Sequence, residues 1–150
     1  LDAARGHGCI TILNPAPAHP LSEEILKLVD IITPNETEAY ALTGVTNPDG
    51  AAKRLLERGV GCAIITLGGD GVLVGEPGTL TRYDALPVDA IDTTAAGDAF
   101  NGTLASRLAA GDSLDAALPW AIASGALAVT TFGAQPSLPT REATAKLLQR

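Results

Sequence analysis

DTTAAGDAFNG, residues 92 to 102, decides how the rest of the chain is read. Ala95, Ala96 and Gly97 stand directly before the acid Asp98, and Phe100, Leu104 and Leu108 follow four apart, which is one apolar stripe of a helix. The small residues therefore fall at a helix N-terminus. There, about four backbone N–H groups lack intrahelical partners and the dipole favours negative charge. Such a place can hold a phosphate. An aspartate beside a phosphate is electrostatically unfavourable unless it has another task, and the obvious one is to accept the proton of a hydroxyl that attacks that phosphate. The alternative is that Asp98 is only a favourable first-turn acid and the small residues serve tight packing.

Outward from this stretch, composition bounds the function. At 150 residues the chain is long enough for one hydrophobic core. Seventeen acidic residues against 10 basic ones give a net charge of −7, with no basic cluster. That argues against nucleic acid or an anionic membrane as partner, and leaves room for a small anion held by backbone amides. No apolar run approaches the roughly 20 residues that span a bilayer, and the opening LDAARGHG has no signal-peptide pattern. The expected compartment is the cytoplasm. Cys9 and Cys62 lie in apolar stretches without metal-site spacing, so both are expected to be buried thiols. The chain begins at Leu1 and contains no methionine, from which a partial sequence is expected.

Before the central motif, short apolar runs alternate with helix starts. Residues 9–13 (CITIL) read as a buried strand emptying into the rigid Asn14-Pro15-Ala16-Pro17-Ala18. Ser22 caps a helix, residues 30–33 form a second strand, and Asn35-Glu36-Thr37-Glu38 opens a helix that Gly44 stops. Asn47-Pro48 starts another, ended by Gly59. Residues 60–67 (VGCAIITL) are apolar almost throughout, as in a strand covered on both faces. The exit, Gly68-Gly69-Asp70-Gly71, reads as a hairpin turn returning into Val72-Leu73-Val74, or as part of a nucleotide site. Residues 79–83 and 86–88 are expected edge strands. Beyond the central helix a second runs from about Leu114 to Val129, with Leu118, Ile122, Gly125 and Val129 on one side, and Thr140 caps a last one. The rhythm is α/β, in one unit.

Five segments in order, NPAPA (14–18), ITPNETEA (32–39), ITLGGDGV (65–72), DTTAAGDAFNG (92–102) and GAQPSLP (133–139), resemble the ribokinase-like (PfkB) sugar kinases. The resemblance implies a three-layer α/β/α, doubly wound, Rossmann-like sheet. It places residues 1–150 as a C-terminal partial domain that carries the nucleotide-binding part, with the sugar-gripping residues and lid lying before Leu1. It further implies ATP-dependent phosphorylation of a sugar in a homodimeric enzyme. D-ribose phosphorylated at O5 is the expectation; another family sugar kinase such as a fructokinase, or a non-catalytic ATP- or metabolite-binding module, is the alternative.

By the same resemblance Asp98 matches the catalytic base, and the amides of Ala96, Gly97 and Asp98 match the anion hole around the transferred phosphoryl group. Asn35 and Glu38 match the pair that organises Mg²⁺ and its waters beside ATP; without the resemblance they read as a helix cap and its capping-box partner. Glu36 is read as solvating. Asn14 resembles an asparagine near the nucleotide phosphates. Thr66, Gly68 and Gly71 resemble the turn lining the ribose and phosphates of ATP, and Ile122 to Gly125 resemble the wall against adenine. Asp92, the carbonyl of Thr94, and carbonyls around Ala128, Thr131 and Gly133 resemble a K⁺ site next to the anion hole. Ala95 stands where many family members carry glycine, and Thr103 where they carry alanine or glycine.

Overall fold

Backbone pairing and helix caps, rather than apolarity alone, set the boundaries of the elements in the computed structural model, which describes residues 1–149. Arg150, the last residue of the expected domain, lies outside the described residues. The chain falls into two compact units, Leu1–Tyr83 and the residues from Asp84 onward.

The first unit contains α1 (Asp2–Gly6), β1 (Ile12–Leu13), α2 (Glu23–Leu26), β2 (Ile31–Ile32), α3 (Glu36–Thr43), α4 (Pro48–Glu57), β3 (Cys62–Thr66), β4 (Val72–Glu76) and β5 (Thr79–Tyr83). The five strands lie side by side in sequence order. β1, β2 and β3 are parallel, whereas β3, β4 and β5 are antiparallel neighbours. The expected doubly wound topology is thus corrected, because a doubly wound sheet reverses its strand order at a switch point and this one does not. The connections explain the change of direction. A parallel neighbour needs a crossover of about a dozen residues or more, and the turns after Thr66 and Glu76 are far too short for one.

One sheet face carries Ile32, Ala63, Ile65 and Leu73, packed with Leu26, Val29, Ala39, Leu42, Ala51, Ala52 and Leu55 of the helices and loops. Leu55, Ile32 and Ile65 have no exposed surface, and each such side chain contributes about 1.5–3 kcal/mol. Cys62, Ile64, Val72 and Val74 point to the opposite face and are also buried, the pattern expected of a strand covered on both sides. Asn47 accepts the Gly50 amide at 2.6 Å and Pro48 follows at N1, so α4 begins where its sequence predicts.

Two expectations fail here for local reasons. Residues 9–13 pair only through Ile12 and Leu13, and Cys9 is exposed rather than buried, with Ile10 55% exposed. The Cys9 amide donates instead to the Ala4 carbonyl at the end of α1, 3.0 Å away, which takes the chain off the ladder. Residues 86–88 form no strand. Pro87 between the two apolar residues has no N–H to give to a ladder.

The second unit holds α5 (Ala96–Ala109), α6 (Leu114–Ala128) and α7 (Arg141–Leu148). α5 and α6 run antiparallel in close contact. Gly125 lies against Ala96, the Thr103 hydroxyl is 2.8 Å from Ser124 Oγ, and the Arg107 guanidinium sits 4.5 Å over the Trp120 ring. Arg107 also forms an ion pair with Asp112, although the two facing atoms make no well-directed hydrogen bond. The buried residues of α6 are Ala117, Leu118, Ala121, Ala123, Ser124 and Ala128. Of the predicted stripe, Leu118 is fully buried and Ile122, Gly125 and Val129 are half-buried, while small residues supply most of the rest of the buried surface. Among the described residues no helix is long and apolar enough to cross a membrane.

Candidate active site

In the second unit the central motif is built around the Asp92 carboxylate. Its Oδ1 accepts the Thr94 amide at 2.9 Å and the Thr94 hydroxyl at 2.6 Å, while Oδ2 accepts the Gly133 amide at 2.9 Å. The amides of Ile91 and Asp92 donate to the Val129 carbonyl at 2.7 and 3.1 Å, so this turn is tied to the end of α6. The Thr94 hydroxyl first, then the amides of Gly133 and Thr94, hold the Asp92 carboxyl below its ordinary pKa. The ionised form accepts those bonds; the turn therefore keeps its anchor down to a lower pH than a free aspartate would allow, and loses it as pH falls through the lowered value.

Ala95 follows in the left-handed conformation, φ 63°, the one non-glycine residue with positive φ among the described residues. For an alanine this is strained by about 1–2 kcal/mol. The twist turns the chain abruptly into α5 and presents its first three amides, those of Ala96, Gly97 and Asp98. The Ala96 amide makes a long bond to the Thr93 carbonyl, 3.3 Å. Gly97 and Asp98 occupy positions where a helix supplies no acceptor, and both residues are exposed. Asp98 is the first-turn acid of α5. A cradle of amides and a solvent-facing carboxylate therefore share one helical turn.

Asp92, Thr94 and Gly133 are brought together by the bonds above. Ala128 and Thr131 are joined to each other by a 3.4 Å bond from the Thr131 amide to the Ala128 carbonyl, and flank Val129, whose carbonyl accepts the Asp92 amide. An ionised carboxylate offers about four lone-pair directions, and the three bonds to Asp92 leave room for a cation. Gly125 packs under α5: a Cβ there would lie 3.4 Å from the Ala96 carbonyl oxygen and 3.7 Å from Phe100 Cβ. Ile122 is half-buried on α6.

The first unit holds the remaining candidates. Asn35 Oδ1 accepts the Glu38 amide at 2.8 Å, and Glu38 Oε2 accepts the Asn35 amide at 2.9 Å, a closed capping box. Asn35 also bridges to Thr66, whose amide donates to the Pro34 carbonyl at 3.0 Å, so Asn35, Glu38 and Thr66 lie together where β3 ends. One Glu38 oxygen is engaged by the cap and the other is left for a ligand. Among the described residues no three His, Cys, Asp or Glu side chains converge as for a metal. A divalent ion at Glu38 would keep most of its water, as Mg²⁺ does. Asn14 Nδ2 donates to the Thr33 carbonyl at 2.9 Å, at the end of the adjacent strand pair. Gly68 and Gly71 frame a 3₁₀ turn, Gly68–Asp70. Gly71, at φ 87° and ψ −129°, adopts a conformation open only to glycine and returns the chain into β4.

Sequence reasoning missed Asn101, whose side chain donates to the Gly97 carbonyl at 2.9 Å, and the Thr103–Ser124 bond. The first was legible in principle as an i, i−4 pair. The second joins residues 21 apart on different helices, and no local signal marks it.

The profile of the pfkB family carbohydrate kinases matches residues 1–141. A ribokinase from Haemophilus influenzae is 46% identical, over 97% of this chain and 49% of its own length. The crystal structure of a ribokinase from Thermotoga maritima superposes with a TM-score of 0.92 at 39% identity, covering 100% of this chain and 52% of its own. An Arabidopsis thaliana ribokinase complexed with ribose and ATP superposes with a TM-score of 0.92 at 31% identity, over 99% of this chain and 50% of its own. These matches correct the expectation of a C-terminal partial domain: the family match covers residues 1–141 and the structural likeness covers 100% of the chain, so the ribokinase-like α/β sheet fold extends over the whole of the chain. The chain spans about half the length of the curated relatives it matches.

Proposed function

The chain belongs to the pfkB family of carbohydrate kinases, and from that premise we propose that it works in the ATP-dependent phosphorylation of D-ribose at O5, giving D-ribose 5-phosphate and ADP. The observation that carries the reading is the first turn of α5, where three successive N-terminal amides and the exposed Asp98 occupy one helical turn. The Asp98 carboxylate takes the proton of the sugar hydroxyl as the new O5–P bond forms and the bond from the γ-phosphorus to the ADP oxygen breaks. The amides of Ala96, Gly97 and Asp98 receive the negative charge of the phosphoryl oxygens, and the strained Ala95 holds them in place beforehand. Asp92, Thr94 and the carbonyls near Ala128, Thr131 and Gly133 would hold a K⁺ ion, whose charge would stiffen the same turn. In the first unit Asn14, Thr66, Gly68 and Gly71 are the residues proposed to bind nucleotide, and Asn35 with Glu38 would order the waters of Mg²⁺; in the second unit the nucleotide-binding candidates are Ile122 and Gly125. When bound, Mg²⁺ neutralises phosphate charge.

The test is kinetic and uses the complete natural polypeptide, which is expected to turn over ribose in preference to fructose or nucleosides. Asp98→Asn should lower kcat by at least about 10² with ATP binding little changed, because the base acts only as transfer proceeds. Near-normal kcat in that variant removes Asp98 from the mechanism. A preference for fructose or a nucleoside leaves the mechanism standing and overturns the ribose assignment.

A further inference from the structure

Gly97 is a weak point in a turn that has to be rigid. It lacks a Cβ, so the peptide on its C-terminal side swings more freely than any other in the first turn of α5. That peptide is a single plane, with the Gly97 carbonyl at one end and the Asp98 N–H at the other, so whatever holds the oxygen also aims the amide. Asn101 Nδ2 lies 2.9 Å from the Gly97 oxygen. Within the helix this oxygen already faces the backbone amide four residues on, and the side chain adds a second donor from another direction. Asparagine is a poor residue for a helix interior, and Asn101 stands in the second turn, half-buried and outside the apolar core. Its side-chain bond to the Gly97 carbonyl is one contact that gives an asparagine a task at this position.

We propose that Asn101 is a positioning residue for the anion-holding turn: its side-chain amide fixes the Gly97–Asp98 peptide plane, and thereby aims the Asp98 N–H at the phosphoryl oxygen. This rests on the kinase reading of the same turn. The Ala96 carbonyl, which shares a peptide with the Gly97 N–H, faces Gly125, where an added Cβ would lie 3.4 Å away. The Ala95 carbonyl, which shares a peptide with the Ala96 N–H, accepts the Ala99 amide at 2.9 Å. The peptide that carries the Asp98 donor thus has, besides the backbone bond of the helix, a side-chain donor on its carbonyl.

The experiment compares Asn101→Leu and Asn101→Ser with wild type in the complete natural polypeptide, reading kcat, the KM for ATP, Tm, and ADP affinity with and without aluminium fluoride as a phosphoryl mimic. Leucine keeps the volume and favours the helix but donates nothing. Serine can donate from its hydroxyl to the carbonyl four residues back. A misaimed donor should lose part of the 10²–10³ that a whole one supplies, so Asn101→Leu is expected to lower kcat about tenfold. Its KM for ATP should stay within about twofold, and the fluoride-induced tightening of ADP should fall in proportion to kcat. Asn101→Ser should recover most of both. Unchanged kcat in Asn101→Leu, while Asp98→Asn is inactive, overturns the role of Asn101 and leaves the kinase reading intact. A loss of kcat that tracks Tm and that serine does not restore also overturns it, marking a merely structural residue. A wild-type protein that transfers phosphate from ATP to no sugar overturns the kinase reading, and this inference with it.

Discussion

Glu38 has two oxygens for two demands: one accepts the Asn35 amide and closes the helix cap, and the other is proposed to face the hydrated cation. The demands separate in mutants, because glutamine serves a capping box as well as glutamate does but carries no charge to order a hydrated cation. Glu38→Gln should therefore raise the Mg²⁺ concentration for half-maximal rate severalfold and leave Tm nearly unchanged, whereas Glu38→Ala should in addition lose about 0.5–2 kcal/mol of stability. Both quantities are measured on the same preparations. Unaltered Mg²⁺ dependence in the glutamine variant would reduce Glu38 to a cap. Ala95 shows the other use of a single residue. Its positive φ makes sense of the glycine that many family members carry there, and strain of this kind is found where surrounding bonds over-determine the backbone, here those made to Asp92.

At the scale of elements, the contact of α5 with α6 decides where the anion-holding turn stands. Thr103 and Ser124 set the register by a 2.8 Å hydrogen bond, so the hydroxyl that stands where family members carry alanine or glycine serves as an interhelical tie. Gly125 sets the spacing, with the Ala96 carbonyl 3.4 Å from the position of an added Cβ. Alanine there should be tolerated, since the contact is close to van der Waals distance and alanine favours the helix by up to about 1 kcal/mol. Valine should force the helices apart. Gly125→Val is expected to destabilise the protein by about 1–3 kcal/mol in urea unfolding, and Gly125→Ala to change it by less than about 1 kcal/mol in either direction. A valine variant as stable as wild type would mean that the α5–α6 spacing is not set here.

Across the whole molecule the two cysteines report on which apolar segments are packed. Cys62, in the middle strand, is buried, and that burial, with the nearby Glu76 charge as a lesser cause, pushes its thiol up to about 12. Cys9 is exposed ahead of the edge strand β1. Since the thiolate is the nucleophile, a thiol reagent applied to native protein at neutral pH should label Cys9 alone, with Cys62 reacting only after denaturation. Mass spectrometry of the labelled peptides checks this, and rapid native labelling of Cys62 would contradict a β3 buried on both faces.

Local chemistry was enough for everything that acts within about a turn. The capping box of Asn35 and Glu38, the Asn47-Pro48 helix start, the β3–β4 hairpin and the placement of Asp98 in the first turn of α5 all follow from residues three or four apart, whose side chains and amides meet whatever the rest of the chain does. The five motifs in order likewise named the family before any coordinate. Tertiary structure alone decided the rest. Residues 9–13 and 86–88 are apolar enough for strands, but whether a strand forms depends on a partner's free N–H and C=O groups, which apolarity does not encode. The sequential strand order belongs to the same class. So do the Asp92–Gly133 and Thr103–Ser124 bonds, which link residues 41 and 21 apart. Such contacts form only when packing brings separate elements together, and no local pattern records which elements those will be.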